Sequence, residues 1–181
     1  MARPSRILIG LSLCIAAVIL ASCGRSSTTK AINTQPFPSA STTQSVSRVT
    51  ADIVAAYRMM WADLVTAAET SDFQSPLLSQ HASGAALSLL VQGLARDQLH
   101  GIVTRGRTIH YPRVTSLSSS GIPTRASIAD CFDDTRWLEY KTSGGLAKNT
   151  PGGRRATTAD MVKRAGTWTV SQITVGATGT C

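Results

Sequence analysis

The sequence predicts an α+β domain, with N-terminal helices packed on an antiparallel sheet of about four to five strands. Three observations predict it. Apolar residues recur at helical spacing between about Thr50 and Leu94, β-rich alternating segments follow Gly101, and turn residues separate those segments. The first helix opens at Thr50, a suitable N-cap, with Asp52 in its first turn. Ile53, Val54, Tyr57, Trp61, Leu64, Val65 and Ala68 share one face. TSDFQSPLLSQ is a loop broken by Pro76. From about Ser83 a second helix carries Leu87, Leu90, Val91 and Leu94, with Gly93 weakening it locally. Val103 to Leu117 reads as strand, SSSGIP as a turn, Thr124 to Phe132 as a second strand, and Trp137 to Lys141 as a third after an Asp-Asp bend. After the long Gly/Pro loop TSGGLAKNTPGGRR, Ala156 to Arg164 and Thr167 to Val175 flank Ala165-Gly166 as a hairpin. The broken alternation between Val170 and Ile173 predicts a bulge in the last strand.

Ahead of this domain stands a targeting pattern. Arg3 and Arg6 form a positive start, and Ile7 to Leu20 form an apolar run shorter than the roughly 20 residues of a spanning helix. The run ends in Leu20-Ala21-Ser22-Cys23, which resembles the lipobox of bacterial lipoproteins. That resemblance covers residues 1–23. It implies cleavage of residues 1–22 as a signal peptide and acylation of Cys23, leaving the protein lipid-anchored on the extracytoplasmic face of the cell membrane. Two or more acyl chains anchor stably where one is marginal. Residues 23–48, rich in Ser, Thr, Gln and Pro, cannot bury a core and read as a flexible tether, with one domain over 49–181.

Composition narrows the partners. The net charge is +8, but Arg96, Arg105, Arg107, Arg113, Arg125, Arg136, Arg154, Arg155, Lys163 and Arg164 are dispersed. A nucleic-acid footprint needs a focused patch, so no nucleic-acid partner is expected. Of four cysteines, Cys14 leaves with the apolar run and Cys23 is the lipid site. Cys131 and Cys181 remain, and in an exported protein such a pair reads as a disulfide. It would close a loop of about 50 residues, contributing about 4 kcal/mol on the chain-entropy model.

The domain itself resembles the nuclear-transport-factor-2-like or ketosteroid-isomerase-like superfamily. The residues that carry this are Tyr57 and Trp61 in the first helix, Ser83-Gly84-Ala85-Ala86-Leu87 opening the second, Ala129-Asp130-Cys131-Phe132-Asp133, and Trp168-Thr169-Val170 with the closing Cys181. Spanning about residues 50–181, the resemblance implies a sheet curved into a cone around the helices, with an apolar pocket inside. Enzymes of the superfamily place an Asp, His or Tyr in that cone, but no position of this sequence matches such a residue closely enough to carry the role over.

Chemistry is sparse in the remaining motifs. His81, His100 and His110 lack HxH or HExxH spacing, so no metal ligands are assigned. Ser83-Gly84 and Ser143-Gly144-Gly145 complete neither GxSxG nor a P-loop. Strand spacing puts Asp130 and Asp134 on one face and Asp133 on the other, with Asp133-Asp134 expected in a solvated turn. His110-Tyr111 is expected within a strand, where one side chain would face a pocket. Tyr57 and Trp61, one helical turn apart, suit either a pocket wall or the core. Tyr57, Trp61, His110 and Asp130 are therefore the pocket candidates, with no catalytic residue and no cofactor assigned. The leading expectation is a non-catalytic, membrane-anchored domain binding an apolar small molecule or an envelope protein. Two alternatives stand beside it. One is a cone-fold isomerase, cyclase or dehydratase using His110, Tyr111 or Asp130, and the other is an accessory subunit of an envelope complex.

Overall fold

The computed structural model describes residues 40–118 and 122–181, with side chains from residue 45 onward. The signal segment, Cys23 and the first part of the expected tether lie outside the described residues. Helix α1 runs Ala40–Ala68, so residues 40–48, expected as tether, are helical and Thr50 lies inside the helix instead of capping it. After Pro38 this stretch holds neither Pro nor Gly, and extending a nucleated helix adds one bond per residue. Val49 also packs against the core. The buried face of α1 is Ile53, Tyr57, Met60, Trp61, Leu64, Ala67 and Ala68. A four-residue turn, α2 (Leu78–His81), leads to α3 (Gly84–Leu99), which buries Ala86, Leu90 and Leu94.

Among the described residues, six strands form two antiparallel sheets where about four to five were expected. β1 (Ile102–Gly106) pairs only with β4 (Trp137–Lys141), while β2 (Arg113–Leu117), β3 (Arg125–Asp133), β5 (Arg154–Arg164) and β6 (Thr167–Val175) make a four-stranded sheet in the order β2-β3-β5-β6. The expected continuous strand over 103–117 is thus two strands of different sheets. Gly106 sits at φ +111°, where a Cβ would collide with the Arg136 carbonyl, and Pro112 has no N–H to give a ladder. His110 and Tyr111 lie in the connection between these breakers, not in a strand.

β5 and β6 join through Ala165 (φ 48°) and Gly166 (φ 87°), the paired positive φ values of a type I′ hairpin. Asp160 pairs with Gln172 and Met161 with Val170, leaving Ser171 as the bulged residue where the sequence pattern broke. The inner face carries Ala126, Ile128, Phe132, Ala159, Met161, Trp168, Val170 and Ile173, closed by α1 and α3 into one core. That core is filled: Tyr57, Met60, Ile128 and Met161 are at most 1% exposed. The interior pocket implied by the superfamily resemblance is therefore occupied by side chains of the chain itself. Cys131 and Cys181 form the expected disulfide.

Candidate functional site

β3 alternates strictly, so Ala126, Ile128, Asp130 and Phe132 all point inward. Asp130 is the carboxylate in this apolar row, and its side chain is fully buried. A buried carboxylate needs donors, and the fold supplies three. Tyr57 Oη, from α1, donates to Oδ2 at 2.9 Å. His110 Nδ1 lies 2.8 Å from the same oxygen, and the Tyr111 backbone N–H donates to Oδ1. The connection carrying these last two groups is held to the end of β3 by reciprocal Ile109 and Asp133 backbone hydrogen bonds of 3.0 and 2.9 Å.

Asp130 at Nδ1 assigns the neutral imidazole's proton to that nitrogen. Nε2 then offers a lone pair, and the Thr108 hydroxyl lies 2.9 Å from it. The His110 ring packs against Phe132 and Trp61, with centroids 5.2 and 4.9 Å away, while Trp61 stacks on Phe132 at 4.4 Å. Tyr57 meets Trp61 edge-on. The four sequence candidates therefore converge, although α1, the connection and β3 bring them from far apart in the chain.

Burial first, and then the Asp130 charge, push the Tyr57 phenol above its ordinary value of 10.0. The Trp61 indole N–H acts weakly the other way, although its nitrogen has no hydrogen-bond partner of acceptable geometry. Tyr57 thus stays a donor wherever the fold persists. The raised value also fixes a sign. Above about pH 10 the unfolded phenol ionises while the folded one holds its proton, so stability falls as pH rises, by up to about 1.4 kcal/mol per pH unit from this group. Urea midpoints at pH 8 and pH 10.5 should show that fall, and Tyr57→Phe should reduce it. An identical fall in the variant would refute the assignment.

Trp61 and His110 line an open groove of about 660 Å³. Val65 and Ile109 extend its apolar wall, Thr108 lines it as well, and the exposed Arg58 and Arg107 stand at its rim. Tyr57 and Asp130 sit behind the groove as its support. Asp130 also borders a second groove of about 570 Å³ beside the disulfide.

Asp133, Asp134 and His81 make contacts elsewhere. Asp133 Oδ1 accepts from the Thr135 side chain and backbone, and these two bonds lower its pKa. Asp134 pairs with Arg155 at 3.1 Å and accepts from the Gly153 N–H. His81 pairs with the buried Asp63 at 2.7 Å, a second Asp-His pair that sequence spacing did not reveal. Among the described residues, no three His, Cys, Asp or Glu side chains gather as metal ligands.

No protein-family model matches the sequence, and no curated protein matches it at a significant level. Similar solved structures include the intermembrane space region of the chloroplast protein ARC6, at 15% identity and TM-score 0.46, covering 72% of this chain and 96% of that one. A protein of unknown function with a cystatin-like fold from Nostoc punctiforme aligns at 13% identity and TM-score 0.41, covering 67% and 87%. A second cystatin-like domain of unknown function from the same organism aligns at 12% identity and TM-score 0.38, covering 76% and 80%. Likeness at this level carries no argument about activity, so function is argued from the site alone.

Proposed function

We propose that this chain is an exported lipoprotein, anchored through Cys23 to the extracytoplasmic face of the cell membrane, whose domain binds an amphipathic anion in the Trp61–His110 groove. One observation carries the binding part. The groove joins an apolar wall of Trp61, Val65 and Ile109 to two exposed guanidinium groups, and neither Arg58 nor Arg107 has an ion-pair partner among the described residues. Few polar groups converging on an apolar concavity suit a small ligand with one charged end. Arginine grips a carboxylate through paired N–H donors. The filled core supports a ligand lying in this surface groove over one enclosed by the sheet.

Laurate, with a carboxylate head and an apolar chain, is a suitable probe. Calorimetric titration of the full-length protein should register binding, weakened about tenfold or more in the Arg58→Gln, Arg107→Gln double variant. Both side chains are exposed, so circular dichroism and Tm should be unchanged. Absence of binding, or equal affinity in the double variant, would refute the groove. The anchor is tested separately. Cys23→Ala should move the protein from the membrane fraction to the medium or leave an uncleaved precursor, and normal processing with full membrane retention would rule out acylation at Cys23.

A further inference from the structure

Thr108 lines the groove and completes a line of three groups. Its hydroxyl is 2.9 Å from His110 Nε2, and His110 Nδ1 is 2.8 Å from Asp130 Oδ2. A hydroxyl is a weak nucleophile until an adjacent base takes its proton, and that base must be oriented by a third group. Each requirement is met here. Asp130 is fixed by Tyr57 and the Tyr111 N–H, and His110 is held by Asp130 on one side and packed on Trp61 and Phe132. The imidazole is 8% exposed, and Thr108 and His110 both line the open groove, from which an ester and then a water can reach them.

We infer that Thr108 is a nucleophile and that the groove hydrolyses fatty acyl esters. The inference rests on the groove's affinity for an apolar chain with an acidic end, since a fatty carboxylate is the product such a reaction leaves there. Thr108 Oγ attacks the ester carbonyl carbon as its proton passes to His110 Nε2. The tetrahedral adduct collapses, the bond to the alcohol oxygen breaks, and the proton on Nε2 goes to that oxygen. Water then attacks the acyl-Thr108 ester, again giving a proton to Nε2. Collapse returns that proton to Thr108 Oγ and frees the acid. One ester and one water yield one alcohol and one acid, with no redox change. Arg58 and Arg107, which line the same groove, are the cations available to the carboxylate once it is released.

The full-length protein is to be treated with a long-chain alkyl fluorophosphonate and mapped by peptide mass, and separately supplied with p-nitrophenyl laurate. The expected results are a single phosphonyl adduct on Thr108 and p-nitrophenol release. Release should fall about 100-fold or more in Thr108→Val and in His110→Gln, and persist in Thr108→Ser. Valine keeps the volume of Thr108 but removes the hydroxyl partner of His110 Nε2, so Tm and laurate binding of Thr108→Val are measured beside its activity, and Thr108→Ser, which keeps the hydroxyl, serves as the rescue. If Thr108 only steadies the imidazole ring, no adduct forms there and Thr108→Val leaves release unchanged. That outcome in protein that still binds laurate overturns the nucleophile alone. Protein that takes neither laurate nor the phosphonate overturns the groove as well.

Discussion

Asp130→Ala is expected to lower stability by about 3 to 5 kcal/mol, because it strands three donors at once, Tyr57 Oη, His110 Nδ1 and the Tyr111 N–H, each costing about 1 to 3 kcal/mol when buried without a partner. The size follows from what is left behind. Tyr57 is fully buried, and the His110 side chain is 8% exposed, so neither recovers a water in place of the lost carboxylate. Leaving a buried donor unsatisfied costs more than the net value of the hydrogen bond itself. Tyr57→Phe removes one donor and its need together, and should cost only about 1 kcal/mol. Because the groups share one carboxylate, Tyr57→Phe made in the Asp130→Ala background should be nearly neutral or stabilising. Urea denaturation of the two single variants and the double variant measures all three values. A cost below about 1 kcal/mol for Asp130→Ala would mean that the network contributes little, and the support behind the groove would need another explanation.

Breaking the disulfide ranks beside it. The sequence separation of Cys131 and Cys181 is 50 residues, and a loop of that size gives about 4 kcal/mol on the chain-entropy model. The native state has its own reason to feel the loss. β6 pairs with β5 only from Thr157 onward, and the tail after Val175 covers the start of β5 instead. Gly176 N–H donates to the Ala156 carbonyl, Gly179 N–H to the Arg154 carbonyl, and Ala156 N–H to Thr180 Oγ1. The disulfide pins this tail to β3 at the residue next to Asp130. Cys131→Ser with Cys181→Ser should therefore lower the urea midpoint strongly, and reduction of the wild type should reproduce the effect. An unchanged midpoint after reduction would show that the tail holds without its covalent link.

Local patterns made much of the fold readable. Ile53, Tyr57, Trp61, Leu64 and Ala68 announced the buried face of α1, and Trp137–Lys141 and Thr167–Val175 stood out as strands between clear turn residues. The gap between Val170 and Ile173 betrayed the Ser171 bulge. Less readable was anything that depended on a neighbour. The Ser/Thr-rich start of α1 carries a weak apolar stripe, and Val49 against the core is a tertiary contact. The split between β1 and β2 turned on Gly106 meeting the Arg136 carbonyl, in the turn just before β4 and distant in sequence.

The site divides the same way. Tyr57 and Trp61 were visible as aromatics one turn apart, and Asp130 as a carboxylate in an alternating strand. Their union spans 73 residues between Tyr57 and Asp130, a separation that no local pattern bridges. Thr108, Arg58 and Arg107 gave no signal, because a polar loop residue and two exposed arginines look ordinary until the groove lies beside them.

The binding claim is tested most directly by native mass spectrometry of the full-length protein, purified gently from its own host. A reproducible non-covalent excess mass from an acidic, apolar small molecule is expected, lost when the protein is denatured and absent in a Val65→Arg variant whose new side chain fills the groove. A wild-type native mass equal to that of the denatured, covalently acylated chain, or a non-covalent mass that survives Val65→Arg, would contradict it.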